Sequence, residues 1–173
     1  MTRQKGGRQV PAVVAAVLAG DLAHLRTLVQ AGANVDEPDS DGRTALQHAA
    51  TAGSVDVASV LLAAGADVHA ADRGGWSALH FAAQGHNLGV ASVLLEAGAR
   101  VDAVDEHGNT PLFRAVFESR GRGEAIMLLL RFGADASRKN AHGVSPLELA
   151  ETIANYQVKR WLVTGSLASP PKK

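Results

Sequence analysis

The chain has 173 residues, 46% of them hydrophobic, which sets the prior at one globular domain with a sizeable core. Seventeen basic and seventeen acidic side chains cancel, so the total charge points neither to nucleic acid nor to an acidic tail. Cysteine is absent, and Asn34, Asn87, Asn109, Asn140 and Asn155 all lack the hydroxyl residue of a glycosylation sequon; disulfides, thiol nucleophiles and cysteine-ligated zinc are excluded and a cytoplasmic setting is expected.

Residues 1–9 are basic at MTRQKGGR and are expected to be a disordered segment. With the apolar VPAVVAAVLAG that follows, they have the layout of a short secretory signal. Register argues against that reading. Gly20, Leu28 and Gly32 return thirty-three residues later as Gly53, Leu61 and Gly65, so the apolar run is a buried helix opening a first unit over about 10–38. A second unit, 39–71, contains RTALQHAATAGSVDVASVLLAAGADV, and a third, 72–104, repeats it as WSALHFAAQGHNLGVASVLLEAGARV. The fourth, 105–139, carries two extra residues between its helices near 117–124, and the fifth, 140–164, closes on a helix with Lys159 and Arg160 on a wet outer face and Trp161 at the slot of Val60 and Val93. GSLASPPKK reads as a disordered tail over 165–173.

Within the unit, Asp39, Asp72, Asp105 and Asn140 stand three places before Gly42, Gly75, Gly108 and Gly143, the spacing of a tight turn at a hairpin tip. Thr44, Ser77, Thr110 and Ser145 then suit the N-cap of a short helix; Thr44 with Gln47 and Ser145 with Glu148 have capping-box spacing, and Pro111 and Pro146 fit a first helical position. A second helix carries the apolar stripe and stops at Gly32, Gly65, Gly98 and Gly133. One such unit cannot bury its apolar face alone, but five stacked in line share a continuous core.

The period and the sequences Thr44-Ala45-Leu46, Ser77-Ala78-Leu79-His80, Thr110-Pro111-Leu112 and Ser145-Pro146-Leu147 resemble ankyrin repeats over about residues 10–164. Alanine replaces proline in two repeats and one repeat keeps the histidine, the departures from the family pattern. The resemblance implies an all-α solenoid with β-hairpin tips, built from about five helix-turn-helix repeats.

GGWSALHFAAQGH at 74–86 invites a catalytic reading, with Ser77 and His80 three apart, His86 six further on, and Trp76 as a wall. The same slots hold Thr44 and Gln47, Thr110 and Phe113, Ser145 and Glu148 elsewhere, so a structural role is the better reading. In the family, the hydroxyl and imidazole of this motif hydrogen-bond within and between repeats. His24, His48, His69, His80, His86, His107 and His142 form no close ligand cluster in sequence. His107 and His142 share a tip position in successive repeats, and a stacking distance of about 8–10 Å puts them too far apart to share an ion. GRGEAI at 121–126 lacks the strand and the Lys-Ser/Thr of a phosphate loop. Asp36, Glu37, Asp39 and Asp41 crowd the first tip, where flexible, solvated carboxylates are poor general acids. No enzyme, metal or cofactor is expected.

A solenoid's remaining asset is surface. Ser40, Asp41, Arg43, Arg73, Trp76, Glu106, His107, Asn109, His142 and Val144 occupy tip positions, and His48, Thr51, Phe81, Gln84, Arg114 and Phe117 the inner helices. Of these, Ser40, Asp41, Arg43, Arg73, Trp76, Phe81, Glu106, His107, Asn109, Arg114, Phe117 and His142 form the expected partner-binding set, a mixture of aromatic, arginine and polar groups of the kind that supplies hot spots. Charge is sorted: residues 9–112 hold four basic and twelve acidic side chains, and 113–173 hold ten basic and five acidic. A protein partner with a basic surface is expected, with no nucleic acid and no membrane, and a monomer when free. Short free-standing ankyrin chains ending like GVSPLELAETIANYQVKRWL look like those of bacteria, some of which act as immunity proteins that neutralise a cognate toxin. The alternative function is an adaptor or regulatory subunit of another protein or enzyme.

Overall fold

Each repeat after the first opens on a turn that one side chain closes. Oδ1 of Asp39, Asp72, Asp105 and Asn140 accepts the amides two and four residues on, at 2.8–3.0 Å. The carbonyl of the same residue accepts from Gly42, Gly75, Gly108 or Gly143 at 2.9–3.1 Å. The tips are therefore hairpin turns closed by a side chain and by one backbone bond across the base, from the amide of the same residue to the carbonyl four residues on at 2.9–3.0 Å; among the described residues, β pairing is confined to one isolated bridge, Ala71 to Ser77. Successive tips touch through backbone. The Glu106 amide donates to Gly74 at 2.9 Å and the Ala141 amide to His107 at 2.9 Å. At Gly108, φ is +75° and a Cβ would stand 2.8 Å from the Ala141 nitrogen, so both the turn and the stacking require glycine there.

The computed structural model of the chain describes residues 10–153 and 156–164. The segments expected to be disordered, 1–9 and 165–173, lie outside the described residues. Among the described residues, ten helices form five pairs: α1 Ala12–Leu18 with α2 Leu22–Gln30, α3 Ala45–Ala52 with α4 Val55–Ala63, α5 Ala78–Gln84 with α6 Leu88–Glu96, α7 Pro111–Phe117 with α8 Glu124–Arg131, and α9 Pro146–Thr152 with α10 Tyr156–Thr164. The inner helices α1, α3, α5, α7 and α9 pack in one row and the outer helices in a second row behind them.

Capping explains where the short inner helices begin. Ser145 with Glu148 forms a complete capping box, Gln47 and His80 accept the Thr44 and Ser77 amides in the same arrangement, and Thr110 accepts the Phe113 amide at 3.2 Å. Pro111 and Pro146 sit at the first helical turn, where a missing amide hydrogen loses nothing. The outer helices α2, α4, α6 and α8 end alike, as α4 shows: Ala66 and Gly65 donate to Leu61 and Leu62 at 3.0 Å, closing the last turn.

Alanines carry the close packing between the rows. Ala45, Ala49, Ala50, Ala78, Ala82, Ala83, Ala115 and Ala150 are buried on inner helices, beside the buried Leu46, Leu79 and Leu112 of the repeated motif. Each buried leucine contributes about 1.5–3 kcal/mol by leaving water. The two extra residues of the fourth unit lengthen the α7–α8 connection, where Arg120 has φ +44°. At its end, Gly123 has no side chain, and the Trp161 ring fills the space: a Cβ there would stand 2.5 Å from Trp161 Cε3. Trp161 is thus half-buried against α8 at the C-terminal end of the row.

Candidate functional site

His80 is fully buried, with the Ser77 amide donating to its Nδ1 at 3.1 Å and its Nε2–H donating to the Asn109 carbonyl of the next repeat at 3.0 Å. Gln47 does the same one repeat earlier: Oε1 accepts the Thr44 amide at 2.7 Å and Nε2 donates to the Trp76 carbonyl at 2.6 Å. The imidazole and the amide are polar bolts between repeats, and burial lowers the His80 pKa, keeping it neutral as this pattern requires. Ser77 and His80 are therefore occupied with scaffold. In the fourth repeat Phe113 cannot donate, and the tie to the fifth runs instead from Asn140 Nδ2 to Asn109 Oδ1 at 2.8 Å. His86, with φ +54°, donates Nε2–H to the Glu118 carbonyl at 3.0 Å, bridging two helix–helix loops away from Ser77. Burial and the nearby Arg122 lower its pKa.

On the inner-helix face the bolts fix the backbone beneath a stack of planar groups. Trp76 has its amide on Asp72 at 2.9 Å and its carbonyl on Gln47, so little freedom remains to its main chain. Its ring lies 5.0 Å from Phe81, tilted 41°, and the Arg114 guanidinium sits 4.2 Å above it. The Arg43 guanidinium covers the Phe81 ring at 4.7 Å. The order along the face is Arg43, Phe81, Trp76, Arg114, each contact a cation–π or tilted aromatic pair contributing roughly 0.5–1.5 kcal/mol. Phe117, one helical turn beyond Arg114 on α7, is 57% exposed.

Carboxylates of the turns hold the two arginines. Asp105, its side chain fully buried, pairs with Arg114 and accepts from the Asn109 amide at 2.8 Å. Burial acts to raise the Asp105 pKa, but Arg114 and the Asn109 donors outweigh it and hold the carboxyl below its ordinary range. Asp39 makes the equivalent contact to His48, Nε2 to Oδ2 at 2.7 Å. Phe81 takes that helix slot in the third unit and cannot pair, so Asp72 turns to Arg43 of the preceding unit at 3.4 Å. A cavity of about 430 Å³ opens between Arg43, Asp72, Gly74, Trp76, Phe81 and Gln84.

The expected binding residues divide between surface and support. Ser40, Asp41, Arg73, Glu106, His107, His142 and Phe117 are exposed, while Arg43, Trp76 and Arg114 are partly covered by one another and their carboxylates. Phe81 and Asn109, expected on the binding face, are buried at 7% and 6% exposure. Arg43 and Trp76 cover the first, and the second ties Asp105 to Asn140. Asp39 also departs from expectation. It is no solvated tip carboxylate: burial pushes its pKa up, but hydrogen bonds from Arg43, His48 and Asp41 prevail and lower it. The distance argument against His107 and His142 fails as well, because tips stacked through backbone bring the rings to 6.2 Å. Among the described residues no three metal-ligating side chains are assembled in one place. Sequence reading missed Asp72 and Asp105 as anchors of the ladder. The signal was present, since His48 and Arg114 each stand nine residues after a turn aspartate.

Two family models match the chain: ankyrin repeats (many copies) over residues 13–62 and ankyrin repeats (3 copies) over residues 68–140. None of the curated proteins compared with it matches. Among the described residues, no helix is long and apolar enough to cross a membrane. The paired-helix geometry repeats through the matched region, and on both grounds the chain belongs to the ankyrin-repeat family, a family of protein–protein interaction modules.

Proposed function

We propose that this protein is a non-catalytic binder, monomeric when free and cytoplasmic, that takes one partner protein on its inner-helix face and hairpin tips without a cofactor. The observation that carries the reading is the ladder from Arg43 to Arg114, with a cavity of about 430 Å³ beside it and the exposed Phe117 one helical turn further on. Arginine and large aromatics dominate hot spots because they bury much area with few torsions. Here Trp76 and Arg114 are held in place before any partner arrives, so the roughly 0.5–1.5 kcal/mol of ordering each mobile side chain costs on binding is reduced. Ser40, Asp41, Arg73, Glu106, His107 and His142 form the surrounding polar rim, with Phe81 and Asn109 as its support.

The sorting of charge favours a partner with a basic surface, steered toward the acidic first repeats. In the specific form of this reading the partner is a basic toxin and the protein neutralises it; a regulatory subunit or adaptor is the other form. Capture from native cells on the immobilised chain, followed by mass spectrometry, tests the proposal. One protein should be retained stoichiometrically by the parent and lost on a chain carrying Arg43→Ala and Phe117→Ala. Retention of the same protein by both would remove the face from the account. A captured protein whose cell-killing activity is abolished by the parent selects the neutralising form, and a captured household enzyme or receptor selects the regulatory one.

A further inference from the structure

His107 and His142 stand at the same position of two successive tips, both exposed, with ring centroids 6.2 Å apart and ring planes inclined at 33°. Their backbones are fixed. Each amide donates to the turn-closing side chain of its own repeat at 2.9 Å, and the His107 carbonyl accepts the amide of Ala141, the residue next to His142, at 2.9 Å. Neither ring is buried, and among the described residues their polar contact with a neighbour is Glu106 Oε1 to His107 Nε2 at 3.5 Å, which leaves the side chains room to rotate.

We infer that these two imidazoles form a chelating half-site for a divalent first-row transition ion of the Cu²⁺, Ni²⁺ or Zn²⁺ type. A metal–nitrogen bond of about 2.0–2.1 Å places each ring centre about 3.2 Å from the ion, so two rings on one tetrahedral ion have centres about 5 Å apart. Closing from 6.2 Å to that separation takes about 1 Å, which rotations within the staggered wells of two exposed side chains supply. The rigid tips add the rest: they fix the two backbones so that the rings need close by only about 1 Å, which lowers the ordering cost that makes isolated surface histidines poor ligands. Imidazole nitrogen selects copper, nickel and zinc over the oxygen-seeking magnesium and calcium. The remaining coordination positions would be filled by water or by a side chain of a bound protein. This inference is independent of the identity of the partner and of the Arg43–Arg114 ladder.

The test is calorimetric titration of the untagged full-length chain with Cu²⁺, Ni²⁺, Co²⁺ and Mg²⁺, each alone. One equivalent should bind, with affinity in the order Cu²⁺ above Ni²⁺ above Co²⁺ and no heat from Mg²⁺, reversed by a chelator. His107→Asn and His142→Asn should each weaken Ni²⁺ binding at least tenfold at unchanged melting temperature, the lower end of the roughly 10–100-fold lost even with an outer-shell partner. His24→Asn, an exposed histidine distant in sequence, is the control and should bind as the parent does. Ni²⁺ affinity unaltered in both tip variants would overturn the site. So would equal losses in all three variants, which would mean scattered single-histidine binding. A second readout keeps the test sharp: with one equivalent of Zn²⁺, the ring resonances of His107 and His142 should shift together, and movement of one without the other would overturn the shared ion.

Discussion

Residue by residue, the chain places its polar side chains where one atom answers one neighbour, and His80 is the clearest case. The buried imidazole accepts from Ser77 and donates to Asn109, which only the neutral ring can do. Its pKa is lowered by burial from the ordinary 6.5, so the folded state resists a proton that the unfolded chain takes up. The stabilising contribution is full above pH 6.5 and is lost as pH falls from 6.5 toward the folded-state value. Gln47 fills the same slot without titrating. His80→Gln should therefore leave stability near pH 7.5 within about 1 kcal/mol and flatten the decline between pH 6.5 and 5, as read by denaturant melts across that range. A decline identical to the parent's would show that His80 does not govern it. Asp105 predicts more severely. Asp105→Asn keeps the turn, as Asn140 does, but leaves Arg114 nearly buried without its counter-charge; the loss should be about 3 kcal/mol. Adding Arg114→Leu should recover part of it, and additive losses would contradict the pairing.

The helix pairs show how much the sequence discloses and where it stops. Repeat length, helix starts at Thr44, Ser77, Thr110 and Ser145, and the glycine stops were legible because each depends on local chemistry, capping and turn formation that recurs in register. The tips were less so. Their place was legible from the Asp/Asn-to-Gly spacing, but not that Asp39, Asp72, Asp105 and Asn140 close each turn by side chain beside a single backbone bond across its base. The binding face was half legible: composition marked Arg43, Trp76 and Arg114, while the burial of Phe81 depends on which repeat's arginine covers it, a relation between units that no single unit contains. The contact between Gly123 and Trp161 is likewise tertiary. Gly123→Ala should destabilise by about 1–3 kcal/mol through overpacking, a fall of several degrees in melting temperature for a chain of this size. In a Trp161→Leu background the same substitution should cost far less. An equal cost there would assign the penalty to the loop rather than to the ring.

For the whole molecule, charge and the ladder make separable contributions to recognition. Glu37 and Asp41 are exposed, and Asp36 accepts the Asp67 amide at 3.0 Å, which an asparagine also does. Replacing Asp36, Glu37 and Asp41 by their amides should slow association with a basic partner several-fold at low salt, with the melting temperature nearly unchanged. Raising ionic strength should erase the difference, because the screening length falls to about 3 Å at 1 M salt. Asp39 is left in place because it closes a turn and holds His48. Trp76→Ala should weaken binding but also lower stability, since the ring supports Phe81 and Arg114. The central claim, that the face from Arg43 to Phe117 receives the partner, is tested most directly at the two ends of that face. The measurement is the dissociation constant of the captured partner for the parent and for the Arg43→Ala, Phe117→Ala double variant, taken beside their melting curves. The account predicts at least a thirty-fold weaker complex, corresponding to about 2 kcal/mol of hot-spot energy, from a variant that remains folded at the temperature of measurement; an unchanged dissociation constant would contradict it.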